Sequence, residues 1–496
     1  MKIVTVLFLL SFVVMFAGCG DSSVSDSPVP TSKYSNDSHE WEIDGNDEGE
    51  AYKIPGQSHN DDGNQSDADN LSENETQHHS AVVDGGDPIT STRITSVCTN
   101  SNAHLAINQD GALLAWGDTP GNFGNTFTYP QTIVPGDVIF IDSGHAHALY
   151  ITSDNTLWVW GKCNQSSARP IPVLDNVVYA AVAPGLHNAH AMYSMRSFAI
   201  RADNSLWAWG SNEGADIRGF LGDGTDVHRH ETVHIMANVA SVTPTITGAL
   251  VITNDNILWG FGNIWRDPWG DFDPILSPQH IMDNIAQVTA CGLAISTTGD
   301  LWDLKLHAFQ PYGEPFKVQE PALLFQGAIY ARRTNTGIFV IASDHTLVAW
   351  GGNQDAADHW NWGPPLGNGT SAAHDDLPGY ILSNVAHFEV AGNTAFAITR
   401  DGRLFGWGGN TGLGNANQPC IIGGSLSPVL IMESVSQIAT SYATDHGWVV
   451  STTIFIITEC GALWAMGGSD GEWGSLGDGT TNRLLQPTLI LCRMRH

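Results

Sequence analysis

The sequence predicts an all-β fold, a β-propeller of seven or eight four-stranded blades that follows a disordered acidic tether. Two observations predict the propeller: a short aromatic phrase recurs along the chain, and residues 88 to 496 contain no internal linker. The phrase reads NSLWAWG at 204 to 210 and returns as NTLWVWG, NILWGFG, HTLVAWG, GRLFGWG and GALWAMG. A third observation, an acidic stretch behind an apolar start, predicts the tether.

Residues 1 to 18 have the pattern of a secretory signal peptide. One Lys precedes an apolar run of about fifteen residues, which is too short and wrongly flanked for a membrane-spanning helix. Ala17 and Gly18 stand before Cys19, an arrangement that resembles the lipobox of bacterial lipoproteins, although Phe16 replaces the usual aliphatic residue. We expect Cys19 to carry the lipid, and the chain to be exported and anchored in a bacterial cell envelope. Ordinary cleavage, with Cys19 as a bystander, is the alternative.

Residues 19 to 87 are predicted to form a lipid-anchored, disordered acidic linker. Between Gly20 and Asp87 there are 17 Asp and Glu against 2 Lys. A chain with few apolar residues and one sign of charge cannot offset its conformational entropy by burial. Acidic calcium loops need a fixed spacing with a turn glycine and a closing Glu, and that spacing is not found here. The stretch therefore serves as a spacer.

The aromatic phrase marks repeated units in residues 88 to 496. Units end at Gly117, Gly161, Gly210, Gly262, Gly351, Gly408 and Gly467. The doubled gap between Gly262 and Gly351 holds a weaker unit, LAISTTGDLWDL, which lacks the closing aromatic and glycine. The count is therefore eight, and a repeat of this length indicates a solenoid, a propeller or an array.

Each unit has the pattern of four strands. An apolar run, an Asp-Asn or Asp-Gly pair and the aromatic phrase predict a β-hairpin, because Asn and Gly accept the positive φ of tight turns. Leu206 and Ala208 face one side of the strand and Trp207 and Trp209 the other, so this strand is apolar on both faces and packs between two sheets. A weaker apolar run precedes each hairpin, and Pro with aliphatic residues follows several. Such units stack around a ring.

A closed ring explains why the terminal units have no polar caps. We expect the final apolar strand, within residues 487 to 496, to pair in the same blade as the strands around residues 94 to 107. Cys98 and Cys492 lie in the first and last apolar strands, and a disulfide between them would lock the ring. Our expectation is nevertheless unpaired, buried thiols, because spacing does not determine connectivity.

The repeats resemble those of the regulator of chromosome condensation family. The resemblance rests on Asp-Gly-x-Leu-Trp-x-Trp-Gly, on LGDGT at 221 to 225 and 476 to 480, and on LGNGT at 366 to 370. It implies a propeller, with seven blades in that family. Gly144 and His147 match the Gly-x-x-His of the family and His104 its His alone. The count of eight, the eroded fifth unit and the missing His in most units depart from the pattern, so seven and eight blades both stay open and the count favours eight.

The resemblance implies little about activity, because propellers host many functions. The nuclear member of the family is a nucleotide exchange factor for a small GTPase, which an exported chain cannot meet. A secreted bacterial relative binds and inhibits β-lactamases, which shows a protein-binding use outside the cell. A net charge of −31 opposes binding to nucleic acid.

Two short motifs that can mark catalytic sites occur once each, HETVH at 230 to 234 and GGSDG at 467 to 471, and there is no phosphate loop. His-Glu-x-x-His binds zinc from a helix, whereas this segment is expected to be extended, and GGSDG follows the closing glycine of an aromatic phrase. His228, His230 and His234 lie close together, but a closed metal site needs three or four ligands with supporting contacts. We expect these histidines to be exposed loop residues. No catalytic residue, cofactor or metal is predicted.

Ligand contacts are expected where units depart from the repeat, because insertions in propellers map to loops on their faces. Three segments stand out, at 182 to 197, 263 to 274 and 352 to 365. The candidate contacts are Trp265, Asp267, His359 and Trp360. Aromatic residues beside acids and amides suit sugar rings or peptide side chains. Packing of each Trp against its own loop is the alternative.

The sequence therefore predicts a monomeric, non-catalytic binding scaffold outside the cytoplasm, held to the membrane by its N-terminal lipid only. Its ligand would be a protein or a glycan. A hydrolase or enzyme accessory that acts on cell-wall or other polysaccharide through a carboxylate-lined face is the alternative. A regulator that resembles a nucleotide exchange factor is the third and least favoured function.

Overall fold

The computed structural model describes most of the repeat region, and these residues belong to one compact unit. The described residues are 93–99, 103–118, 127–144, 147–161, 167–184, 195–212, 219–264, 275–306, 320–334, 337–351, 365–370, 375–408, 425–445, 448–468 and 476–492. The predicted signal peptide and tether lie outside them and stay predictions. No helix in these ranges has the length and apolar character needed to cross a membrane.

The described strands form eight four-stranded antiparallel sheets, each built from four consecutive strands. Blade 1 contains β1 (Ile94–Thr99), β2 (Ala103–Asn108), β3 (Leu113–Gly117) and β4 (Phe127–Val134). Blade 2 contains β5 (Val138–Ser143), β6 (His147–Thr152), β7 (Leu157–Gly161) and β8 (Ser167–Leu174). Blade 3 contains β9 (Val177–Val182), β10 (Arg196–Arg201), β11 (Leu206–Gly210) and β12 (Arg229–Met236). Blade 4 contains β13 (Val239–Thr245), β14 (Gly248–Thr253), β15 (Leu258–Gly262) and β16 (Ile275–Met282).

The second half of the ring repeats this order. Blade 5 contains β17 (Ile285–Val288), β18 (Leu293–Ser296), β19 (Asp300–Asp303) and β20 (Ala322–Gln326). Blade 6 contains β21 (Ala328–Arg333), β22 (Gly337–Ala342), β23 (Leu347–Gly351) and β24 (Asp375–Leu382). Blade 7 contains β25 (Val385–Ala391), β26 (Thr394–Thr399), β27 (Leu404–Gly408) and β28 (Ser425–Met432). Blade 8 contains β29 (Val435–Asp445), β30 (Trp448–Thr458), β31 (Leu463–Gly467) and β32 (Leu484–Leu491). The predicted all-β propeller is confirmed, with eight blades.

The first strand of each blade lines the centre of the ring. It pairs with the second strand only, and first strands of adjacent blades contact each other at several junctions, including that between blades 8 and 1. Because successive strands are antiparallel, the connections after the first and third strands share one face, which we call the upper face. The hairpin turns after the second strands share the opposite, lower face.

The hairpin turns join each blade to the next. The turn residues have positive φ, for example 64° at Asn155 and 80° at Gly461, as the turn chemistry predicts. The carbonyl of Asn155 accepts a hydrogen bond from the N–H of Val177, the first residue of blade 3, at 2.8 Å. The same bond links Ile94 of blade 1 to Gly461 of blade 8, also at 2.8 Å. Closure of the ring thus uses the same contact as an interior junction.

The last strand does not complete the first blade. β32 pairs with β31 inside blade 8, and blade 1 supplies its own inner strand, β1. The prediction of a shared blade was therefore wrong, because the first repeat already contains four strands. The seam closes by face packing instead: the ring of Phe455 lies 5.2 Å from that of Trp116 and 4.7 Å from that of His104.

The aromatic phrase packs between blades as predicted. In β11, Trp209 belongs to the core shared with blade 2, whereas Leu206 and Ala208 belong to the core shared with blade 4. The first aromatic, Trp207, is only partly buried, with the guanidinium of Arg201 over its ring at 4.8 Å. One strand therefore bridges two cores, which explains why both of its faces are apolar.

The three Leu-Gly-x-Gly-Thr loops follow the third strands of blades 3, 6 and 8, and each packs against the next blade in the ring. Gly222, Gly367 and Gly477 have positive φ, and a Cβ on them would lie 2.6 to 3.1 Å from the rings of Phe261, Trp407 and Trp116 of the next blade. Only glycine allows so close an approach in that conformation. The motif that carries the family resemblance is thus explained by packing.

Cys98 forms no disulfide with Cys492. Its thiol is free and buried, with Sγ 2.9 Å from the Oγ of Ser143 in blade 2, and burial raises its pKa to about 12. The expected unpaired, buried thiol is confirmed for Cys98, whereas Cys492 is exposed. Cys291 differs from that expectation because it is disulfide-bonded.

Candidate functional site

The residues predicted to contact lipid or ligand all lie outside the described residues. They are Cys19, Trp265, Asp267, His359 and Trp360. The strands that precede the three insertion segments are β9, β15 and β23, and all three end at the upper face. The upper face is therefore where those predictions would apply.

The histidines of blade 3 are exposed and make local contacts. The Nδ1 of His228 accepts a hydrogen bond from the backbone N–H of Asn212 at 3.0 Å, and the ring of His234 packs edge-on against Trp207 at 5.6 Å. Over the described ranges, no three His, Cys, Asp or Glu side chains lie together in a way that could hold a metal. The three histidines are exposed, as expected, but His230 and His234 lie in β12 and not in a loop, so the His-Glu-x-x-His of residues 230 to 234 stands on a strand and not on a helix.

His147 and His104 are not equivalent, which corrects their joint assignment to the family pattern. His147 pairs with Gly161 whereas His104 pairs with Trp116, so they differ by one register position and face opposite sides of their sheets. Both side chains are buried, and burial lowers the pKa of His147 to about 4 and that of His104 to about 3. Both are neutral packing residues at blade junctions.

His147 and Ser197 form a pair that resembles a nucleophile with its base. The Nε2 of His147 lies 2.7 Å from the Oγ of Ser197 across the junction of blades 2 and 3. Catalysis by such a pair needs an accessible hydroxyl and a third group to orient the imidazole. Ser197 is 0% exposed, and the Nδ1 of His147 has no hydrogen-bond partner. The pair therefore bridges the junction and is unsuited to catalysis.

A charged cluster lies at the upper ends of blades 5, 6 and 7. It consists of Asp303, Lys305, Arg332, Arg333 and Glu389. The Oδ2 of Asp303 lies 2.8 Å from both the Nζ of Lys305 and the Nη2 of Arg333. The Nη1 of Arg332 lies 2.6 Å from the Oε2 of Glu389. Consecutive arginines on an inner strand thus pair with opposite neighbours, because successive strand residues face opposite ways.

The cluster arises where the repeat is eroded. LWDLK in blade 5 takes the place of LWAWG in blade 3, so that Asp303 stands at the position of Ala208 and Lys305 at the position of Gly210. Lys305 keeps the positive φ of that position, 54° against 108° at Gly210, and so adopts the left-handed conformation. The other seven blades have glycine there, each with positive φ: Gly117, Gly161, Gly210, Gly262, Gly351, Gly408 and Gly467. A lysine in this conformation costs free energy that glycine does not.

The two carboxylates of the cluster are ionised. Burial alone would raise the pKa of Asp303, but hydrogen bonds from Lys305 and Arg333 outweigh burial and lower it. Burial likewise opposes ionisation of Glu389, and the charge of Arg332 lowers its pKa. The side chains of Lys305 and Arg333 are 32% and 33% exposed, against 6% for Asp303. Two solvent-facing cations therefore share one buried carboxylate.

The junction of blades 5 and 6 is incompletely covered beside this pair of cations, and there Trp350 stacks on Phe325 of blade 5 with ring centroids 6.2 Å apart. Arg333, Ile338 and Trp350 are successive cross-strand neighbours and are all partly exposed. Residues at the position of Trp350 in the other seven blades are buried: Trp116, Trp160, Trp209, Phe261, Leu304, Trp407 and Met466. An apolar wall thus adjoins the cations at this junction.

The eroded unit is evident from the sequence, but no ligand contact was predicted in it. The signal that could have found the site was Lys305 at a position that is glycine in every other unit. The contribution of Arg333 could not be found in this way, because it comes from the next blade.

A cavity of about 340 Å³ lies on the lower face, at the seam of blades 8 and 1. Its polar lining includes Arg93, Gln109, Ser436 and Glu459. The Nη2 of Arg93 donates a hydrogen bond to the backbone carbonyl of Glu459 at 3.2 Å, so Arg93 already links the two blades. The cavity therefore belongs to the closing seam.

No protein-family model matches the chain. Solved structures similar to it include yeast RCC1 (Prp20) bound to Kap60, with 14% identity, 84% of this chain and 91% of that chain covered, and a TM-score of 0.45. Human WBSCR16 is similar with 16% identity, 70% and 84% coverage, and a TM-score of 0.41. The WD40 ectodomain of the Arabidopsis thaliana receptor kinase ACR4 has 11% identity, 81% and 100% coverage, and a TM-score of 0.34. The eight-bladed fold is established by the strand pairings of this chain.

Proposed function

We propose that this protein is an exported, lipid-anchored and non-catalytic binding scaffold whose upper face takes a protein or glycan ligand. One observation carries the proposal. At the upper end of blade 5, Asp303 and Lys305 replace the small residue and the glycine that the other seven blades have at these positions, and Lys305 adopts a strained conformation. Departures from a local rule without a packing gain are typical of functional positions.

The rest of the molecule supports a scaffold role. The backbone bond from the hairpin turn recurs at every junction and also closes the ring, which favours a rigid platform. The formal charge of −31 disfavours phosphate-rich partners. An acidic linker behind a lipidated Cys19 would give the platform reach from the membrane.

The anchor is tested by Cys19→Ala, which should move the protein from the detergent phase to the aqueous phase. A variant that still partitions with detergent would show that Cys19 does not carry the anchor.

Binding is tested by passing the full chain over glycans, cell-wall material and immobilised envelope extract, with an assay for released products. Retention without product supports the scaffold. Product release would favour the hydrolase, and failure to bind any of the three would overturn the proposal.

A further inference from the structure

We infer that Lys305 and Arg333 form a carboxylate-binding site that receives the C-terminal end of a partner polypeptide, with Trp350 and Ile338 beside it for the apolar terminal side chain. The inference deepens the proposed function and rests on it. It begins from two cations that converge on one oxygen, the Oδ2 of Asp303, at 2.8 Å each.

The need to neutralise Asp303 does not by itself explain why a lysine occupies position 305. A salt bridge from Arg333 already neutralises Asp303 across the junction of blades 5 and 6. The second cation adds repulsion to Arg333 and occupies a left-handed position, φ 54°, where glycine would be unstrained. An incoming anion would remove that repulsion. The cluster as a whole has three cations against two carboxylates, so it can take one negative charge.

The exposure of the groups fits an incoming ligand. Asp303 is buried behind the cations, whereas about a third of each cationic side chain reaches solvent. The planar guanidinium of Arg333 suits a carboxylate, which it can bind through two donors. The partly exposed Trp350 and Ile338 lie on the same face of blade 6 as Arg333. A carboxylate attached to an apolar group matches both features.

The charge of the protein favours a polypeptide end over an acidic polysaccharide. A polyuronate has a carboxylate on every unit, and a chain with net charge −31 would repel it. A polypeptide terminus brings one carboxylate next to one side chain.

The test compares two fluorescent tetrapeptides that end in leucine, one with a free carboxylate and one with a C-terminal amide. Their affinities for the full chain are measured by fluorescence anisotropy. We expect the acid to bind at least tenfold more tightly than the amide, with the difference shrinking at high salt because the site is partly exposed. Equal affinities, or no binding of the acid at millimolar concentration, would overturn the inference.

Two variants separate a ligand site from a structural ion pair. Lys305→Gly should fold, because seven blades have glycine there, and should bind acid and amide equally. In the wild type the backbone N–H of Lys305 donates a hydrogen bond to the Oδ1 of Asp303 at 3.0 Å, and the amide oxygen in Asp303→Asn can still accept it. Because this variant loses the negative charge between Lys305 and Arg333, the peptide acid should bind to it several-fold more tightly. A purely structural cluster predicts no gain. Arg403→Gln, an exposed residue of blade 7, is the control and should change nothing.

Two further measurements distinguish failure of the carboxylate site from failure of the scaffold proposal. An oligomer of glucuronic acid that binds more tightly than the peptide acid would overturn the polypeptide assignment. Envelope extract is then passed over the wild type and Lys305→Gly. Equal retention by both would reject this site and leave the scaffold intact, whereas no retention by either would reject the scaffold itself.

Discussion

Phe455→Ala tests whether the ring is closed, with Phe339→Ala as its matched control. Phe455 pairs with Ala465 in blade 8 and Phe339 pairs with Ala349 in blade 6, so the two phenylalanines hold the same position in their blades. Both are 0% exposed. Phe339 stacks on Phe388 of the next blade at 4.7 Å, an interior junction. Phe455 makes the corresponding contact only if blade 1 lies against blade 8.

The two substitutions should cost the same. Phe→Ala at a fully buried position costs about 3–5 kcal/mol, from lost transfer free energy and the cavity left behind. In a closed ring both variants lose that amount. In an open array the outer face of blade 8 would meet solvent, and Phe455→Ala would cost less than about 1 kcal/mol, as surface substitutions do.

Urea unfolding followed by tryptophan fluorescence and by circular dichroism measures both costs, as changes in midpoint at constant slope. Leu377→Ala serves as a surface control, because Leu377 is 78% exposed and should change stability by no more than about 0.5 kcal/mol. A large loss for Phe339→Ala together with a negligible loss for Phe455→Ala would refute closure at the seam.

Three other perturbations have defined outcomes. Gly222→Ala should lower the free energy of unfolding by about 1–3 kcal/mol more than Gly224→Ala, because both glycines have positive φ but only the Cβ at Gly222 would overlap Phe261. Equal losses of stability in thermal melts would show that close packing of Gly222 on Phe261 does not hold blades 3 and 4 together. Burial raises the pKa of Asp142 from 3.8 to about 6, so its protonated form favours folding and stability falls as pH rises from 4 towards 7. Asp142→Asn should remove that slope, worth about 3 kcal/mol, and an unchanged pH profile would show that another group causes it. Deletion of residues 21 to 85 should leave the melting temperature unchanged, and a fall of several degrees would mean that the linker packs on the propeller.

The sequence by itself determined the repeating hairpin and favoured eight blades over seven. Its information is local: Asn155 and Gly461 encode turns because they accept positive φ, and the strands they join lie a few residues apart. The double-sided apolar character of β11 likewise follows from alternation along one strand. Such features do not depend on how blades meet, so they could be predicted without a structure.

The tertiary structure alone decided what the blades bring together at their junctions. Arg333 reaches Asp303 from the next blade, and Arg332 meets Glu389, 57 residues away. A shift of one register position would turn either arginine to the opposite neighbour. A difference of one register position likewise places His147 and His104 on opposite faces of their sheets. Strand pairing, which the sequence did not reveal, places β32 in blade 8 and β1 in blade 1. Contacts between blades depend on strand register and on the packing of whole sheets, so they cannot be predicted from turn residues or from the alternation along one strand.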